Sequence, residues 1–242
     1  MPMVWIGEVE STNDVARWMA TAGVPEGAVV VAERQTRGRG RRGRAWASPA
    51  GGLWCSILLR PAGQPAWGRL SLAVGVAAAE AIEAATGLPV GLHWPNDLIV
   101  DGRKVGGVLI EAHAGAVVVG IGINANVPME QLPPDVVPHA TSLHLAAGRP
   151  VPHGLLLEAL LRRLEHWYPI WADGGPEVVA AWSVRDVARG QRVTVSGPGG
   201  PIEGIAEGVD GDGALRLRVS EDEVRRIVAG DLLPSQEPSG AP

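Results

Sequence analysis

Five arginines fall within eight residues of a glycine-rich segment that lies between two apolar runs. The apolar runs, at 28–32 and 53–59, have the length and composition of buried strands. We therefore expect a short cationic loop that rigid strands hold at both ends. Guanidinium groups donate paired hydrogen bonds to phosphate or carboxylate, and glycine lets the backbone approach such an anion closely. The arginines are Arg37, Arg39, Arg41, Arg42 and Arg44, interspersed with Gly38, Gly40 and Gly43.

A solvated loop and a nucleic-acid contact are the alternatives for this Gly/Arg loop, defined as residues 36–45. Gly/Arg segments that bind RNA are usually long and repetitive, whereas this one is short. The formal net charge of the chain is −5, which argues against a general nucleic-acid-binding surface. The positive charge is local, as a pocket for a small anion requires. Because clustered guanidinium groups repel each other, we expect the loop to be mobile until an anion binds.

The rest of the composition bounds the class of protein. The 242 residues are 46% hydrophobic, which is enough for one core and a small additional domain. No apolar run reaches the roughly 18 residues of a membrane span, and the first residues do not resemble a signal peptide. The single cysteine, Cys55, cannot form an internal disulfide. We expect it to be a buried small hydrophobe in a cytoplasmic protein.

Lysine is nearly absent from the chain. Of the 21 basic residues only Lys104 is a lysine, and the other 20 are arginines. A sequence that uses arginine wherever either residue serves singles out Lys104 as a position where arginine fails. A compact ammonium that contacts two anionic groups is one such case, because a guanidinium is larger and more rigid. Chance retention of a surface lysine is the alternative.

Hydrophobic periodicity predicts the main elements. A first helix follows the first strand and stops at Gly23. Ser11 or Thr12 would cap this helix, bind a polar ligand at its N-terminus, or do both. The helix at 69–86 would bury Leu70, Val74, Ala77 and Ala81. The predicted strands are 4–9, 28–34, 53–60 and 116–123, and the later helices are 155–171 and 176–182.

A tight hairpin is predicted at Asp101 and Gly102, between two β-rich runs. Asp97 begins its first arm and Lys104 its second. Asp97 is either a turn residue or a carboxylate that orients a cation or Mg²⁺. The glycines at 106 and 107 would leave room for a ligand against bare backbone. Trp46, at the end of the Gly/Arg loop, either stacks on a purine or packs in the core.

From residue 185 onward the pattern changes to short alternating strands separated by Gly, Pro and Asp. Four such strands in about fifty residues predict a small β-barrel. The tail after residue 234 is rich in Pro, Ser and Gly and is predicted to be disordered. We therefore expect a first domain at 1–184, a barrel at 185–234 and a tail at 235–242.

Four motifs in this order resemble the biotin protein ligase family: STN (11–13), GRGRRGRAW (38–46), WPNDL with GRKVGG (94–107), and GIGINAN (120–126). The resemblance covers about residues 4–233. It implies an α/β (α+β) fold in which a mixed sheet flanked by helices forms a catalytic domain like that of class II aminoacyl-tRNA synthetases. An SH3-like barrel would follow. It also implies an ATP- and Mg²⁺-dependent ligase that converts biotin to biotinyl-5′-AMP and transfers it to a lysine of a biotin carboxyl carrier domain.

The resemblance also implies roles for individual residues. Lys104 would bridge the biotin carboxylate and the α-phosphate, and Asp97 would orient Lys104 or the incoming amine. The catalytic candidates are Lys104, Arg39, Arg41 and Asp97. The biotin-binding candidates are Ser11, Thr12, Asn13, Gln35, Arg39, Gly40, Arg41 and Lys104. The ATP-binding candidates are Arg42, Arg44, Trp46, Asn96, Lys104 and Asn124, with Trp46 stacking on adenine, and no metal ligand is assigned.

Two departures from the family pattern matter. Members that double as repressors carry a winged-helix domain before the catalytic domain, whereas here the catalytic pattern begins at the N-terminus, so we expect no DNA binding. His93 stands where lysine is common. A lipoate or octanoate ligase or transferase shares the fold and is the alternative function, although it lacks this Gly/Arg loop. We expect no membrane partner, and the oligomeric state, monomer or weak homodimer, stays open.

Overall fold

A mixed seven-stranded sheet forms the first part of the protein. The computed structural model describes residues 2–62, 67–197 and 200–233, so the predicted tail at 235–242 lies outside the described residues. The sheet has the order β1-β2-β3-β7-β6-β5-β4, in which β1 and β2 are parallel and the other neighbours antiparallel. The strands are β1 (Met3–Val9), β2 (Val29–Gln35), β3 (Leu53–Leu59), β4 (Gly91–His93), β5 (Asp97–Val100), β6 (Arg103–His113) and β7 (Ala116–Ile123).

Helices cover both faces of this sheet. The predicted inward stripe of α2, formed by Leu70, Val74, Ala77 and Ala81, is buried as expected. Alternate residues of a strand face opposite sides, so Val29 and Val31 pack towards α2 while Val30 packs towards α1. The helices are α1 (Thr12–Thr21), α2 (Trp67–Thr86), α3 (Leu143–Ala147), α4 (His153–Ala172) and α5 (Glu177–Ser183), and three short 3₁₀ turns lie at Arg41–Gly43, Met129–Gln131 and Val137–His139.

The hairpin between β5 and β6 forms at the predicted position. Asp101 and Gly102 have φ angles of 49° and 70°, the positive values that a two-residue turn of this kind requires. The turn sets the register that brings Lys104 opposite Ile99 and Gly107 opposite Asp97. The functional candidates on the two arms therefore lie close together.

Of the two interpretations of Ser11 and Thr12, side-chain capping of α1 is not observed. Ser11 occupies the N-cap position, but its side chain makes no capping hydrogen bond. Both side chains are buried, and Thr12 instead bonds residues from β2 and β3. The polar start of this helix is used for tertiary contacts.

A second, antiparallel sheet follows the first part of the chain, as predicted. Its order is β11-β10-β9-β8-β12, so it contains five strands where the sequence predicted four. The buried indole of Trp94 joins the two sheets because its Nε1 donates a hydrogen bond to the carbonyl of Gly213, at 3.1 Å. The strands are β8 (Arg192–Gly197), β9 (Gly200–Val209), β10 (Leu215–Arg218), β11 (Val224–Ile227) and β12 (Asp231–Leu233).

None of the helices in the described ranges has the length and apolar character needed to cross a membrane.

Candidate active site

A cavity of about 540 Å³ lies where the start of α1, the Gly/Arg loop, the β5–β6 hairpin and β12 meet. This volume falls within the range of small-molecule sites. Every residue that the sequence proposed for the site lines the cavity except Arg42. Arg42 instead lies 3.4–3.5 Å from the backbone carbonyl and hydroxyl of Ser196. Asp231 and Leu232 also line the cavity, so the second sheet contributes to its wall.

A buried hydrogen-bond network closes one end of the cavity. Gln35 accepts a hydrogen bond from the backbone N–H of Thr12 at 2.8 Å and donates one to Ser48 Oγ at 2.8 Å. Ser56 Oγ lies 2.7 Å from Thr12 Oγ1 and 2.6 Å from Asn13 Oδ1. Neither Ser48 nor Ser56 was predicted from the sequence to belong to the site. The signal for Ser56 was a hydroxyl at the centre of an otherwise apolar strand, LWCSILL.

The same network continues to a pair of carboxylates that the sequence analysis also missed. Asn13 Nδ2 donates a hydrogen bond of 2.6 Å to Glu111 Oε2. Arg39 donates two hydrogen bonds to Asp14, of 2.7 and 2.8 Å, and its Nη2 lies 3.8 Å from Glu111 Oε2. The hydrogen bond from Arg39 lowers the pKa of Asp14, and partial burial opposes that shift.

Three of the remaining loop arginines converge on one carboxylate of the second sheet, whereas Arg37 pairs with Glu10. Asp231 lies 3.0 Å from Arg41, 3.5 Å from Arg42 and 3.0 Å from Arg44. Burial lowers the pKa of the Arg41 guanidinium, and the charge of Asp231 opposes this effect. Carboxylates of the chain itself thus pair with these arginines and reduce the repulsion that the sequence analysis expected among them. Ligand-dependent mobility of the loop stays a prediction.

Lys104 lines the cavity. Its Nζ forms a 2.6 Å ion pair with Asp97 Oδ1 and lies 5.1 Å from the centroid of the Trp46 ring. His93 is opposite Asp97 in the β4–β5 register. Burial lowers the pKa of His93; Asp97 opposes this shift and Lys104 adds to it. The imidazole of His93 therefore adds little positive charge beside Lys104 near neutral pH.

Two glycines of the GIGINAN motif make room for side chains of the site. A Cβ at Gly122 would lie 2.7 Å from Trp46 Nε1, and a Cβ at Gly120 would overlap Asn13 Oδ1. Trp46 also packs edge-on against Trp54, with ring centroids 6.5 Å apart. The packing interpretation of Trp46 therefore holds, while the same ring lines the cavity.

Gly106 and Gly107 of the GRKVGG motif lie in different surroundings. A Cβ at Gly106 would meet the carbonyl oxygen of Gly122 at 2.6 Å, so close strand packing requires this glycine. The expectation that it leaves room for a ligand is wrong. Gly107 lines the cavity and a Cβ there would make only ordinary contacts.

Two asparagines of the site are fixed by backbone groups. Asn96 Nδ2 donates to the carbonyl of Val108 at 2.7 Å, and Asn124 Nδ2 donates to the carbonyl of Thr141 at 3.1 Å. The buried Oδ1 of Asn124 has no hydrogen-bond partner among the described residues. Because a buried acceptor without a partner costs free energy, this oxygen is suited to receive a donor from a ligand.

Cys55 lies in the cavity wall but is chemically inert. Its side chain is buried, and burial raises the pKa of the thiol to about 12. A thiol in this state supplies no thiolate near neutral pH. The interpretation of Cys55 as a small buried hydrophobe is confirmed.

The chain matches two protein-family models. The model of the biotin/lipoate A/B protein ligase family matches residues 6–127, and the model of the biotin protein ligase C terminal domain matches residues 189–232. The biotin--[acetyl-CoA-carboxylase] ligase of Mycobacterium tuberculosis is 37% identical over 94% of this chain and 87% of that protein. The bifunctional ligase/repressor BirA of Bacillus spizizenii is 32% identical over 95% of this chain and 73% of that protein.

A solved structure is similar over nearly the whole length. The biotin protein ligase of Aquifex aeolicus in complex with biotin and ATP has a TM-score of 0.86 and 31% sequence identity, and the match covers 96% of this chain and 97% of that chain. The fold, both family models and the relatives agree. The chain belongs to the biotin protein ligases of the biotin/lipoate A/B protein ligase family.

Proposed function

We propose that this chain is an ATP-dependent biotin protein ligase that forms biotinyl-5′-AMP and transfers biotin to a lysine of a biotin carboxyl carrier domain. The position of Lys104 carries this proposal. Its ammonium shares one cavity with a neutral polar network and a cluster of arginines, as an enzyme that joins a carboxylate to a phosphate needs. The relatives favour biotin over lipoate, because those compared above are biotin ligases.

The experiment that tests this function is transfer of labelled biotin to a purified carrier domain. We expect labelling of the carrier lysine with ATP and none without ATP. Lipoate in place of biotin distinguishes the alternative function. A folded protein that labels no carrier domain with biotin would contradict the proposal.

The neutral network is the proposed site for the ureido end of biotin. Hydroxyl and amide groups of Ser11, Thr12, Asn13 and Gln35 surround this end of the cavity. Neutral donors and acceptors suit the ureido group, which carries no charge. Gly40 and the backbone of the Gly/Arg loop would then cover the bound biotin.

Lys104 is the proposed catalytic centre of the first step. The biotin carboxylate attacks the α-phosphorus, an O–P bond forms, and the bond to the β-phosphate breaks as pyrophosphate leaves. Two anions must approach each other, so neutralising charge lowers the barrier. The ammonium of Lys104 would contact both anions, and Asp97 holds it at the cavity wall. Arg39 and Arg41 would support this step from the loop.

The nucleotide would occupy the side of the cavity near Trp46 and Asn124. The Trp46 ring offers a face to adenine, and the free Oδ1 of Asn124 would accept a hydrogen bond from an amino group. Asn96 would support this wall through its bond to Val108. Arg42 and Arg44, anchored by Asp231, would meet the outer phosphates.

In the second step the amine of the carrier lysine attacks the acyl carbon of biotinyl-AMP. A C–N bond forms, the C–O bond to AMP breaks, and the amine loses a proton. Asp97 lies in the cavity wall, where it would orient the incoming amine.

Mg²⁺ would enter with ATP. No three His, Cys, Asp or Glu side chains within residues 2–62, 67–197 and 200–233 come together as a metal cluster, so the protein groups do not fit a resident ion. Magnesium is commonly held by substrate phosphates with few protein ligands. We assign the ion to the nucleotide substrate and no catalytic step to a protein-held metal.

We further propose a catalytic domain at 1–184 and a barrel at 185–234. The negative net charge supports an enzyme that binds carrier domains without a nucleic-acid partner. A buried, unpaired cysteine supports a cytoplasmic location.

A further inference from the structure

Glu111 is a carboxylate that connects two parts of the site without lining the cavity. It lies on β6, which also carries Lys104. Its Oε2 accepts a 2.6 Å hydrogen bond from Asn13 and lies 3.8 Å from Arg39. Its side chain is 27% exposed, so its charge is partly shielded from water. One carboxylate thus contacts both the neutral network and the Gly/Arg loop.

The contacts of Asn13 fix the orientation of its amide. Asn13 Oδ1 accepts from Ser56 Oγ at 2.6 Å, and Nδ2 donates to Glu111. This assignment leaves one N–H of Nδ2 for the cavity, which Asn13 lines. Gly120 leaves the space that the amide needs. If Glu111 were lost, Nδ2 would lose the contact that holds this N–H in place.

The contacts of Arg39 fix the position of the loop. The guanidinium lies between Asp14, which accepts two hydrogen bonds, and Glu111. An opening of the loop would require Arg39 to leave both carboxylates. The remaining partner of Glu111 would then be Asn13, which carries no charge. The energy of the Glu111 contact therefore differs between the open and closed loop.

We propose that Glu111 is a positioning residue that couples biotin binding to closure of the Gly/Arg loop. It acts through Asn13 at the biotin end and through Arg39 in the loop. Because coupling is reciprocal, a ligand that orders Asn13 favours the closed loop, and a closed loop favours the ligand. This inference rests on the proposed placement of the biotin ureido group beside Asn13.

The test uses Glu111→Gln, which keeps an oxygen for Asn13 but removes the charge next to Arg39. We expect the Kd for biotin and the dissociation rate of bound biotinyl-AMP both to rise about three- to tenfold. In steady-state adenylation, Glu111→Gln should raise the KM for biotin by a larger factor than it lowers kcat, because Glu111 touches no reacting atom. Glu10→Gln is the control, since Glu10 forms an exposed 3.4 Å pair with Arg37 at the base of the same loop.

A double-mutant cycle with Arg39→Gln separates coupling from general destabilisation. If Glu111 acts through Arg39, adding Glu111→Gln to Arg39→Gln should change adenylate dissociation less than about twofold. Full additivity, or a Glu111→Gln protein with both ligand constants near wild type, would overturn the proposal. If Glu111→Gln does not fold, Glu111→Asp, which keeps the charge but shortens the reach of the carboxylate towards Arg39, provides the same cycle. A wild-type protein that binds no biotin would overturn the proposed function itself.

Discussion

Arg41 Nη1 lies 3.0 Å from Asp231 Oδ1, although 190 positions separate the two residues in the chain. This contact joins the Gly/Arg loop to the last strand of the second sheet. The Asp231 side chain is only 13% exposed, and it also forms ion pairs with Arg42 and Arg44. One carboxylate facing three guanidinium groups leaves an excess of positive charge at the cavity. The second sheet is thus part of the site.

Asp231→Asn should raise the KM for ATP about three- to tenfold with a smaller effect on biotin affinity. Without the carboxylate the three loop arginines repel each other and lose a common anchor. Steady-state kinetics with each substrate varied in turn measures this difference. Hydrogen exchange of residues 36–45 should be faster in the variant, and in wild type it should slow when biotin and ATP bind.

Asp212→Asn is the matched control for Asp231→Asn, because Asp212 pairs with Arg226 in an exposed position. Its KM values should equal those of wild type. An Asp231→Asn protein with an unchanged KM for ATP and unchanged exchange would show that the contact has no part in nucleotide binding.

The sequence predicted those site residues that interrupt an apolar pattern. Gln35, Lys104 and Asn124 stand at or near the ends of strands, where hydrophobic periodicity stops. Asp14 and Asp231 could not be found in this way. Each is an ordinary polar residue until the fold brings an arginine 25 or 190 positions away into contact with it.

The fold itself was predictable where elements are long. The helix at 69–86 and the strand at 116–123 have enough residues for a period to be visible, and both formed with errors of two residues or fewer. Strands β4 and β12 contain three residues each, so they are too short to show a hydrophobic period in the sequence. Sheet order was also beyond the sequence, because it depends on contacts between distant segments.

Gly120→Ala and Gly122→Ala should distinguish the biotin end of the cavity from the nucleotide end. The first substitution crowds Asn13 and should raise KM for biotin about tenfold. The second crowds Trp46 and should raise KM for ATP by a similar factor. Overpacking should also cost each variant about 1–3 kcal/mol of unfolding free energy. Gly7→Ala is the control because no atom lies within 4 Å of its added Cβ.

Kinetics with both substrates and denaturant unfolding check this prediction. The placement of biotin near Asn13 and of adenine near Trp46 would be contradicted if both variants affected the two KM values equally.

Lys104→Arg should lose biotinyl-AMP formation by roughly 100- to 1000-fold, corresponding to about 2.7–4 kcal/mol of transition-state stabilisation. The planar guanidinium cannot contact a carboxylate and a phosphate from the position of a single ammonium. Single-turnover adenylation measures the effect. The rate of biotin transfer from presynthesised biotinyl-AMP should fall less, since the carboxylate and the phosphate are already joined in this compound. An adenylation rate within about threefold of wild type would assign Lys104 no catalytic role.

His93 should make the folded protein less stable in mild acid. Burial lowers its pKa from the ordinary value of 6.5, so below that pH the unfolded chain binds a proton that the folded chain resists. The contribution of neutral His93 to stability is fully present above pH 6.5 and declines as the pH falls towards the pKa of His93 in the folded protein. His93→Gln should flatten the change in unfolding free energy between about pH 7.5 and about pH 5.5, measured with urea. An unchanged pH dependence would exclude this role.

The Asp97–Lys104 pair has a consequence for unwanted chemistry. An acyl-adenylate that leaves its site can acylate any unprotonated amine that it meets. These 242 residues contain one lysine, and its ammonium is held against a carboxylate, where a protonated nitrogen has no lone pair to attack with. The chain should therefore stay almost unlabelled while it labels its carrier. Any biotin found on it after turnover would identify either Lys104 or a terminal amine as the acceptor.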